Sequence, residues 1–468
     1  MHSFQSKRVV VMGLGQFGGG AGVARFLCEQ GARVLVTDQS TPEQLADSVK
    51  AISDLPVELR LGEHREADFA EADLIVVNPA VKPHGNKYIA AARNAGVPLT
   101  SEIRLLVERL PDRQRVVGIT GSAGKSTTTA MVGHLLEHTG QRAWVGGNLG
   151  GSLLPQLPHI AADDWVILEL SSFMLEGLGV DRWSPHIAVI TNLSPNHLDW
   201  HGTFDEYAAA KAHIVGHQQR DDVAILGPGV APLIAQPASR VVDMPPVEGN
   251  EIKLLIPGTH NVQNAMTALA IAQHMGIAEG DAREALRSFA GLRHRLQFVC
   301  EHNEVRYFND SKSTTPDAAI MALRSFPAGK VHAILGGYDK GSNLTPLAKF
   351  AAEHCHAIYT IGQTGDTIAH AAANEATVIT LMNDTGAPRP STCGGVAGWT
   401  HPPAQIVRSG TLDQALLDMA TRVRRGDIVL LSPGCASWDQ FRHFEVRGSA
   451  FVEAILKYQG EDAPPPRA

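Results

Sequence analysis

Residues 115–129, RVVGITGSAGKSTTT, constrain this chain more than any other stretch. The apolar run Val116, Val117 and Ile119 predicts a buried strand. Gly121, Ser122, Ala123 and Gly124 predict a turn, and Lys125, Ser126 and Thr127 open a helix that continues through Met131 to Leu136. Strand, glycine turn, Lys-Ser/Thr and helix make a phosphate cradle. Glycines let backbone N–H groups approach phosphate oxygens, and the helix N-terminus adds the positive end of its dipole. Lys125 is placed to reach β- and γ-phosphates, and the Ser126 or Thr127 hydroxyl to ligate Mg²⁺. The common loop has a glycine five residues before Gly124. Here Ile119 stands there, so the loop is a shortened form, TGxxGKST. A plain strand–turn–helix joint would give Lys-Ser after two closely spaced glycines little purpose.

Such a loop requires a parallel α/β sheet to carry it, and the chain is long enough for several. Its 468 residues suggest about three domains. A hydrophobic content of 44% with 19% charged residues supplies apolar cores and a polar surface. The net charge of −8 argues against a general nucleic-acid binder or a polybasic membrane binder. It leaves room for anionic substrates, which need only local lysines and arginines. The five cysteines are scattered, odd in number and never at metal-ligand spacing. Neither a disulfide framework nor a cysteine zinc site is expected, and a reducing cytoplasm is the simplest compartment. No apolar run approaches membrane-span length, and Val9–Met12 is too short for a signal sequence.

Upstream, residues 8–15 (RVVVMGLG) read as a buried strand, and Gly13, Gly15 and Gly18 match GxGxxG before a helix through Phe26 and Leu27. A strand from Arg33 to Thr37 ends at Asp38, where a ribose-binding acid would sit. That match suits a dinucleotide domain, but other nucleotide-binding sheets use the same turn. Asn78-Pro79-Ala80 follows a further strand end, a place where open α/β sheets put ligands.

Past the phosphate loop come the glycine loop Gly146-Gly147-Asn148-Leu149-Gly150 and a buried strand, WVILEL, with one acid, Glu169. A lone carboxylate there is the usual Mg²⁺-side partner of a phosphate loop, set against a solvated strand-end Glu. The segment after strand Ile187–Thr191 is dense in polar groups: Asn192, Asn196, His197, Asp199 and His201. It reads as a surface loop, as a zinc cluster of His197, Asp199 and His201, or as a loop in which one His binds a second metal or a substrate. Zinc is disfavoured by the alternating spacing and the missing fourth ligand. Lys211 lies on the next helix, four residues after Tyr207; by itself it reads as a solvated helix face. A strand is expected at residues 252–256. After it, His260, Asn261 and Asn264 begin a helix, where such amides serve as caps or face a nucleotide.

The last third holds LRHRLQFV with His294 and Arg295, then YFNDSKSTTPDA, in which Asn309, Asp310, Ser311, Lys312, Ser313 and Thr314 lie between strand and helix. A charged pair with three hydroxyls there is a site candidate. Strand Val331–Leu335 leads into GGYDKG, and strand Asp427–Leu431 into SPGCASWDQF. Residues 383–404 read as a long irregular loop, and the tail after about Gly460 as disordered.

Taken in order, these motifs resemble the Mur ligases of peptidoglycan precursor synthesis over nearly the whole chain. TGSAGKST, GGNLG, LELSSF, NLSPNHLD with its following helix lysine, HNVQN, GLRHR and GGYDKG carry the resemblance. NDSKST and LSPGCASWDQF point to the members that add D-glutamate.

The resemblance implies an α/β protein of three domains: a Rossmann-like UDP-substrate domain (residues 1–103), a central P-loop ATPase-type domain (104–291) and a dehydrogenase-like domain for D-glutamate and ATP closure (292–460). It implies ATP, Mg²⁺, UDP-N-acetylmuramoyl-L-alanine and D-glutamate, with an acyl phosphate between them, and a cytoplasmic monomer. Carried over by position, Gly121, Ser122, Ala123, Gly124, Lys125, Ser126 and Thr127 cradle the phosphates. Ser126 and Glu169 ligate the first Mg²⁺. His197 matches a second-Mg²⁺ histidine, and Lys211 a lysine that is carbamylated in this family. Asn261, Asn264, Arg295 and Asp310 match ATP contacts, and Asn148 a UDP-sugar contact. Lys312, Thr314, Lys340, Ser437 and Phe444 match positions around D-glutamate. Ala123 stands where the family often has Asn, and Asn78-Pro79-Ala80 replaces a frequent Ser-Pro-Gly.

Three other readings compete. A nicotinamide dehydrogenase would leave the phosphate loop and the last third unexplained. A non-enzymatic NTP-binding module would not need Lys312, Lys340 and Ser437. Within the superfamily, a folylpolyglutamate synthetase or a diaminopimelate- or lysine-adding ligase is the nearest alternative, but the Asn-Pro-Arg of the diaminopimelate type does not occur in the sequence.

Overall fold

A computed structural model describes residues 3–15, 18–79, 81–82, 85–248, 252–375 and 402–458. Most of the 383–404 loop, the C-terminal tail and Ala80 lie outside the described residues. The chain divides into two compact units, Met1–Ile252 with Val262–Arg287, and Lys253–Asn261 with Ser288–Ala468. It is α/β throughout, and three sheets organise it.

The first sheet comprises β1 (Arg8–Met12), β2 (Arg33–Asp38), β3 (Glu58–Leu61), β4 (Leu74–Val77) and β5 (Leu99–Thr100), in the order β3-β2-β1-β4-β5. All pairs are parallel, the dinucleotide-type arrangement. The second comprises β6 (Val116–Thr120), β7 (Ala143–Gly147), β8 (Trp165–Glu169), β9 (Ile187–Ile190), β10 (Val223–Leu226) and β11 (Arg240–Asp243), in the order β11-β10-β9-β6-β8-β7, again all parallel. Both sheets lie in the first unit. One apolar cluster runs through them, joined by Ile103 and Leu106 of the Glu102–Val107 helix and by Leu154, Leu175 and Leu178.

The third sheet comprises β12 (Gln297–His302), β13 (Val305–Asn309), β14 (Val331–Gly336), β15 (Ala357–Ile361), β16 (Gln405–Gly410) and β17 (Ile428–Leu431). Its order is β12-β13-β17-β14-β15-β16, parallel except for the β12–β13 hairpin.

Parallel strands buried on both faces read as continuous apolar runs, which is why β1, β6, β8, β14 and β17 stand out in the sequence. Two expectations differ from the structure. Residues 252–256 join no sheet; Ile252 and Ile256 are buried without a ladder, and Pro257 lacks the N–H that would extend one. Gly146 and Gly147 are not loop residues but the end of β7. A Cβ on Gly147 would stand 2.4 Å from the Glu169 carbonyl oxygen, so the glycine lets β7 lie against β8.

Candidate active site

In the second sheet β6 is flanked by β8 on one side and β9 on the other, and strand order reverses there. Ligands of open α/β sheets bind in the crevice beyond such a switch point. The loops that leave the ends of β6, β8 and β9 carry Gly121–Lys125, Glu169 and Asn192–His201.

The phosphate loop is held open from below. Gly121 has φ +147° and Gly124 φ +80°, both in the region that favours glycine. A Cβ at Gly121 would sit 2.0 Å from Thr191 Oγ1, and one at Gly124 2.4 Å from Asn264 Oδ1. Asn192 fixes the turn on both sides. Its Oδ1 accepts from Ala123 N–H at 3.0 Å, its Nδ2 donates to the Ala123 carbonyl at 2.9 Å, and its own carbonyl accepts from Ser122 N–H. Ala123 therefore needs no side-chain contact of its own. Lys125 opens the Lys125–His138 helix and folds back over the loop, donating to the Gly121 and Ser122 carbonyls at 2.8 and 3.2 Å. Ser126 and Thr127 lie half-buried in the first turn of that helix.

Glu169 is not a solvated strand-end acid. It is 1% exposed at the end of β8. Asn148 Nδ2 donates to its Oε1 at 2.8 Å, while its Oε2 has no hydrogen-bond partner. A buried carboxylate oxygen with nothing donating to it is a ligand suited to a hard cation.

Lys211, on the Phe204–Gly216 helix, is likewise not a solvated face: it is 2% exposed. Its Nζ donates to Thr120 Oγ1 at 3.2 Å and lies 4.9 Å from the centre of the Tyr207 ring. Burial, reinforced by the Lys125 charge and opposed by Glu169, pulls its pKa down to about 7.

Tyr207 links the parts, since its hydroxyl shares a 3.1 Å hydrogen bond with Ser122 Oγ. His197 is exposed, has φ +52° and lies near the Phe173 and Tyr207 rings. His201 is buried and stacked on the same Phe173 ring, with Nε2 2.9 Å from Ser172 Oγ. His201 is engaged with Ser172 while His197 is exposed, so His197, Asp199 and His201 do not converge as the zinc reading requires. Among the described residues no three His, Cys, Asp or Glu side chains form a metal cage.

Asn261, buried, donates to the Pro257 carbonyl at 2.6 Å.

In the second unit the loops after the adjacent strands β13, β17 and β14 lie together at one edge of the sheet. Asp310 is 7% exposed and accepts from Leu296 N–H at 3.0 Å and from Ser432 Oγ–H at 2.8 Å. Burial raises its carboxyl to about 6 against these bonds and the Arg295 charge. Asp310 is thus no surface carboxylate, and Arg295 itself is exposed. Lys312 is exposed, with Nζ 5.4 Å from the Phe444 ring centre; Thr314 and Phe444 are half-buried. Ser437 is buried, and its hydroxyl has no hydrogen-bond partner. Lys340 is exposed beside Trp438.

Arg447 drew no attention in the sequence, because it lies past the motif run on the Phe444–Tyr458 helix. It is 1% exposed. Its guanidinium donates to Ser311 Oγ and to the Ser311, Ala436 and Cys435 carbonyls, all at 3.0–3.1 Å. One side chain thereby ties the NDSKST loop to the SPGCAS loop. Burial lowers its pKa to about 10, so it remains charged at neutral pH. Asn192 and Tyr207 were visible only as members of a polar segment and as a position relative to Lys211.

Arg447→Ala should destabilise the second unit by about 2–4 kcal/mol, because the buried Ser311 and Cys435 carbonyls lose this donor and the Ala436 carbonyl keeps only Tyr338 N–H. Arg447→Lys should recover only part, since an ammonium cannot reproduce the fork. Urea midpoints check this: an unchanged midpoint for Arg447→Ala would contradict the tie.

Known proteins match along the whole length. Residues 7–101 match the MurD-like N-terminal domain of Mur ligases, 119–228 the Mur ligase middle domain and 294–435 the Mur ligase glutamate ligase domain. The chain is 36% identical to a UDP-N-acetylmuramoylalanine–D-glutamate ligase of Koribacter versatilis, over 97% of this chain and 98% of that protein. It is 37% identical to the ligase of the same name from Roseiflexus sp., over 97% and 99%. The fold resembles the UDP-N-acetylmuramate–alanine ligase of Thermotoga maritima, with TM-score 0.54 at 21% identity over 96% of this chain and 99% of that one. It also resembles Thermotoga maritima MurF ligase in complex with ADP, with TM-score 0.51 at 16% identity over 97% and 96%.

Proposed function

This chain belongs to the Mur ligase family, and on that premise we propose how its residues perform the reaction. It is an ATP-dependent ligase that adds D-glutamate to UDP-N-acetylmuramoyl-L-alanine, a step of peptidoglycan synthesis. Residues 1–103 are assigned to the UDP end of the acceptor, 104–291 to ATP, and 292–460 to D-glutamate and closure on ATP. Among the described residues no helix is long and apolar enough to cross a membrane. We place the reaction in the cytoplasm, carried out by a monomer.

The acceptor's terminal carboxylate oxygen attacks the γ-phosphorus of ATP. A new O–P bond forms, the bond to the β,γ-bridging oxygen breaks, and ADP leaves. The D-glutamate amine then attacks the acyl-phosphate carbonyl. A C–N bond forms, inorganic phosphate departs and the amine gives up a proton. Such transfers depend on in-line positioning and on spreading negative charge.

Lys125 and the N–H groups of Gly124–Thr127 at the helix start supply the positive side. The observation that carries this reading is the cradle itself, fixed by Asn192 and closed to any Cβ at Gly121 and Gly124. Asn148 would touch the UDP-sugar while orienting Glu169. Asn261, Asn264, Arg295 and Asp310 are the proposed ATP contacts.

Mg²⁺ fits the residues present. The unpartnered Glu169 Oε2 and the Ser126 hydroxyl suit a first ion, and His197 with a carbamylated Lys211 a second. When bound, Mg²⁺ would neutralise phosphate charge. The fit needs the modification, because a bare ammonium at Lys211 would repel the cation.

D-glutamate is assigned to the loops after β13, β14 and β17. Lys312 and Lys340 pair with its carboxylates, and Thr314 and Ser437 donate neutral hydrogen bonds. Phe444 shields one side. The buried Ser437 hydroxyl without a partner supports this, since such a group calls for one. Truncating Lys340 or Ser437 to alanine should raise the KM for D-glutamate about tenfold or more while leaving the KM for ATP within about twofold. Steady-state kinetics decide it: weakened ATP alone would put these residues in the nucleotide site.

A further inference from the structure

Trp438 sits where a buried motif breaks into solvent. Ser437 before it is 2% exposed, but Trp438 is 60% exposed. Its ring centre lies 5.5 Å from that of Tyr338, itself 38% exposed. Lys340 Nζ lies 4.7 Å from the centre of the Trp438 ring. The loops bearing these residues are fixed against each other: Tyr338 N–H donates to the Ala436 carbonyl at 2.9 Å. Gly337, at φ +147°, leaves no room for a Cβ beside that same oxygen.

An exposed indole adds little to folding, because most of its surface stays in water. Lys340 is also exposed, and among the described residues it makes no ion pair. A lysine on a free four-carbon stem samples a wide volume. An aromatic face within about 6 Å narrows that volume. It does so without consuming the ammonium's N–H donors, as a carboxylate partner would.

We propose that Trp438 is a positioning residue for D-glutamate: its indole face holds the Lys340 ammonium in place, with its donors still available to a substrate carboxylate. The inference rests on the assignment of Lys340 to the amino-acid pocket, and the test separates the two.

Full-length W438A, W438F, K340M and W438A/K340M are assayed with D-glutamate, ATP and acceptor each varied in turn. Thermal melting confirms that each folds. W438A should raise the D-glutamate KM about two- to fivefold, the effect expected of an exposed cation–π contact. The kcat and the KM for ATP should hold. W438F, which keeps a ring, should restore most of the affinity. W438A should add nothing on the K340M background. An unchanged D-glutamate KM in W438A, an equal rise with and without Lys340, or a W438F as weak as W438A would each overturn the inference. If K340M itself leaves the D-glutamate KM unchanged, the pocket assignment fails and takes the inference with it.

Discussion

Replacing Lys125 with alanine should lower turnover by about a hundred- to a thousandfold in a chain that still folds. The side chain is half-buried and donates to carbonyls of its own loop, at 2.8 and 3.2 Å. Those bonds satisfy the ammonium when no phosphate is near. They are the contacts a γ-phosphoryl group would replace. Bonds from Asn192, Thr191 and Ser122, independent of Lys125, also hold the loop. Circular dichroism and the thermal midpoint should therefore stay near the parent values while phosphate release collapses. A folded Lys125→Ala variant with near-normal turnover would remove phosphoryl transfer from this loop.

Lys211→Ala should lose activity by about a hundredfold or more, and a small carboxylate added to the variant should restore part of it. The argument starts from burial. An amine held near pKa 7 is about half neutral at pH 7, whereas an ordinary lysine is neutral less than about one part in a thousand. Only the neutral amine attacks CO₂. Its lone pair forms the N–C bond as one C=O π bond of CO₂ opens, the nitrogen gives one proton to solvent, and the carbamate anion left behind attracts a metal cation.

The same shift sets the pH dependence. The folded pKa of the unmodified lysine lies below its ordinary value of 10.5. Between about 7 and 10.5 the unfolded chain therefore binds more protons, and stability of the unmodified protein rises with pH across that window. Below about pH 7 the amine charges, so carbamate formation should fall steeply. The direct readout is a ¹³C carbamate resonance after exchange with labelled bicarbonate, lost in Lys211→Ala and fading as pH drops below 7. A parent protein with full activity and no such resonance would contradict the proposal.

Much of this site was legible because its parts are local. A phosphate loop, a strand-end acid and a hydroxyl-rich turn each announce themselves within a dozen residues, since glycine, lysine and apolar runs have few other reasons to alternate that way. Apolar runs ended by turns marked β1, β2, β6, β8, β9, β14 and β17, strands of three sheets that are parallel except for the β12–β13 hairpin.

What stayed hidden was long-range. The environment of Lys211 is set by Thr120, 91 residues earlier, and by Tyr207 on its own helix. Helical periodicity could not tell that face from a wet one. Arg447 reaches Ser311 across 136 residues, and no local pattern marks an arginine for burial. Asn192 looked like one polar residue among five until its bonds to both sides of Ala123 were visible. The false strand at 252–256 has a related cause: an apolar run predicts burial, but only a neighbouring strand makes it a ladder.

The central claim is that ATP activates the acceptor carboxylate and that D-glutamate alone is joined to it. Phosphate release is measured with ATP, Mg²⁺ and UDP-N-acetylmuramoyl-L-alanine while D-glutamate, L-glutamate, lysine and diaminopimelate are offered in turn. Sustained release that requires the acceptor and D-glutamate together, and is at background with the other three, is the predicted result. Equal turnover with L-glutamate or diaminopimelate, or release that does not need the acceptor, would contradict it.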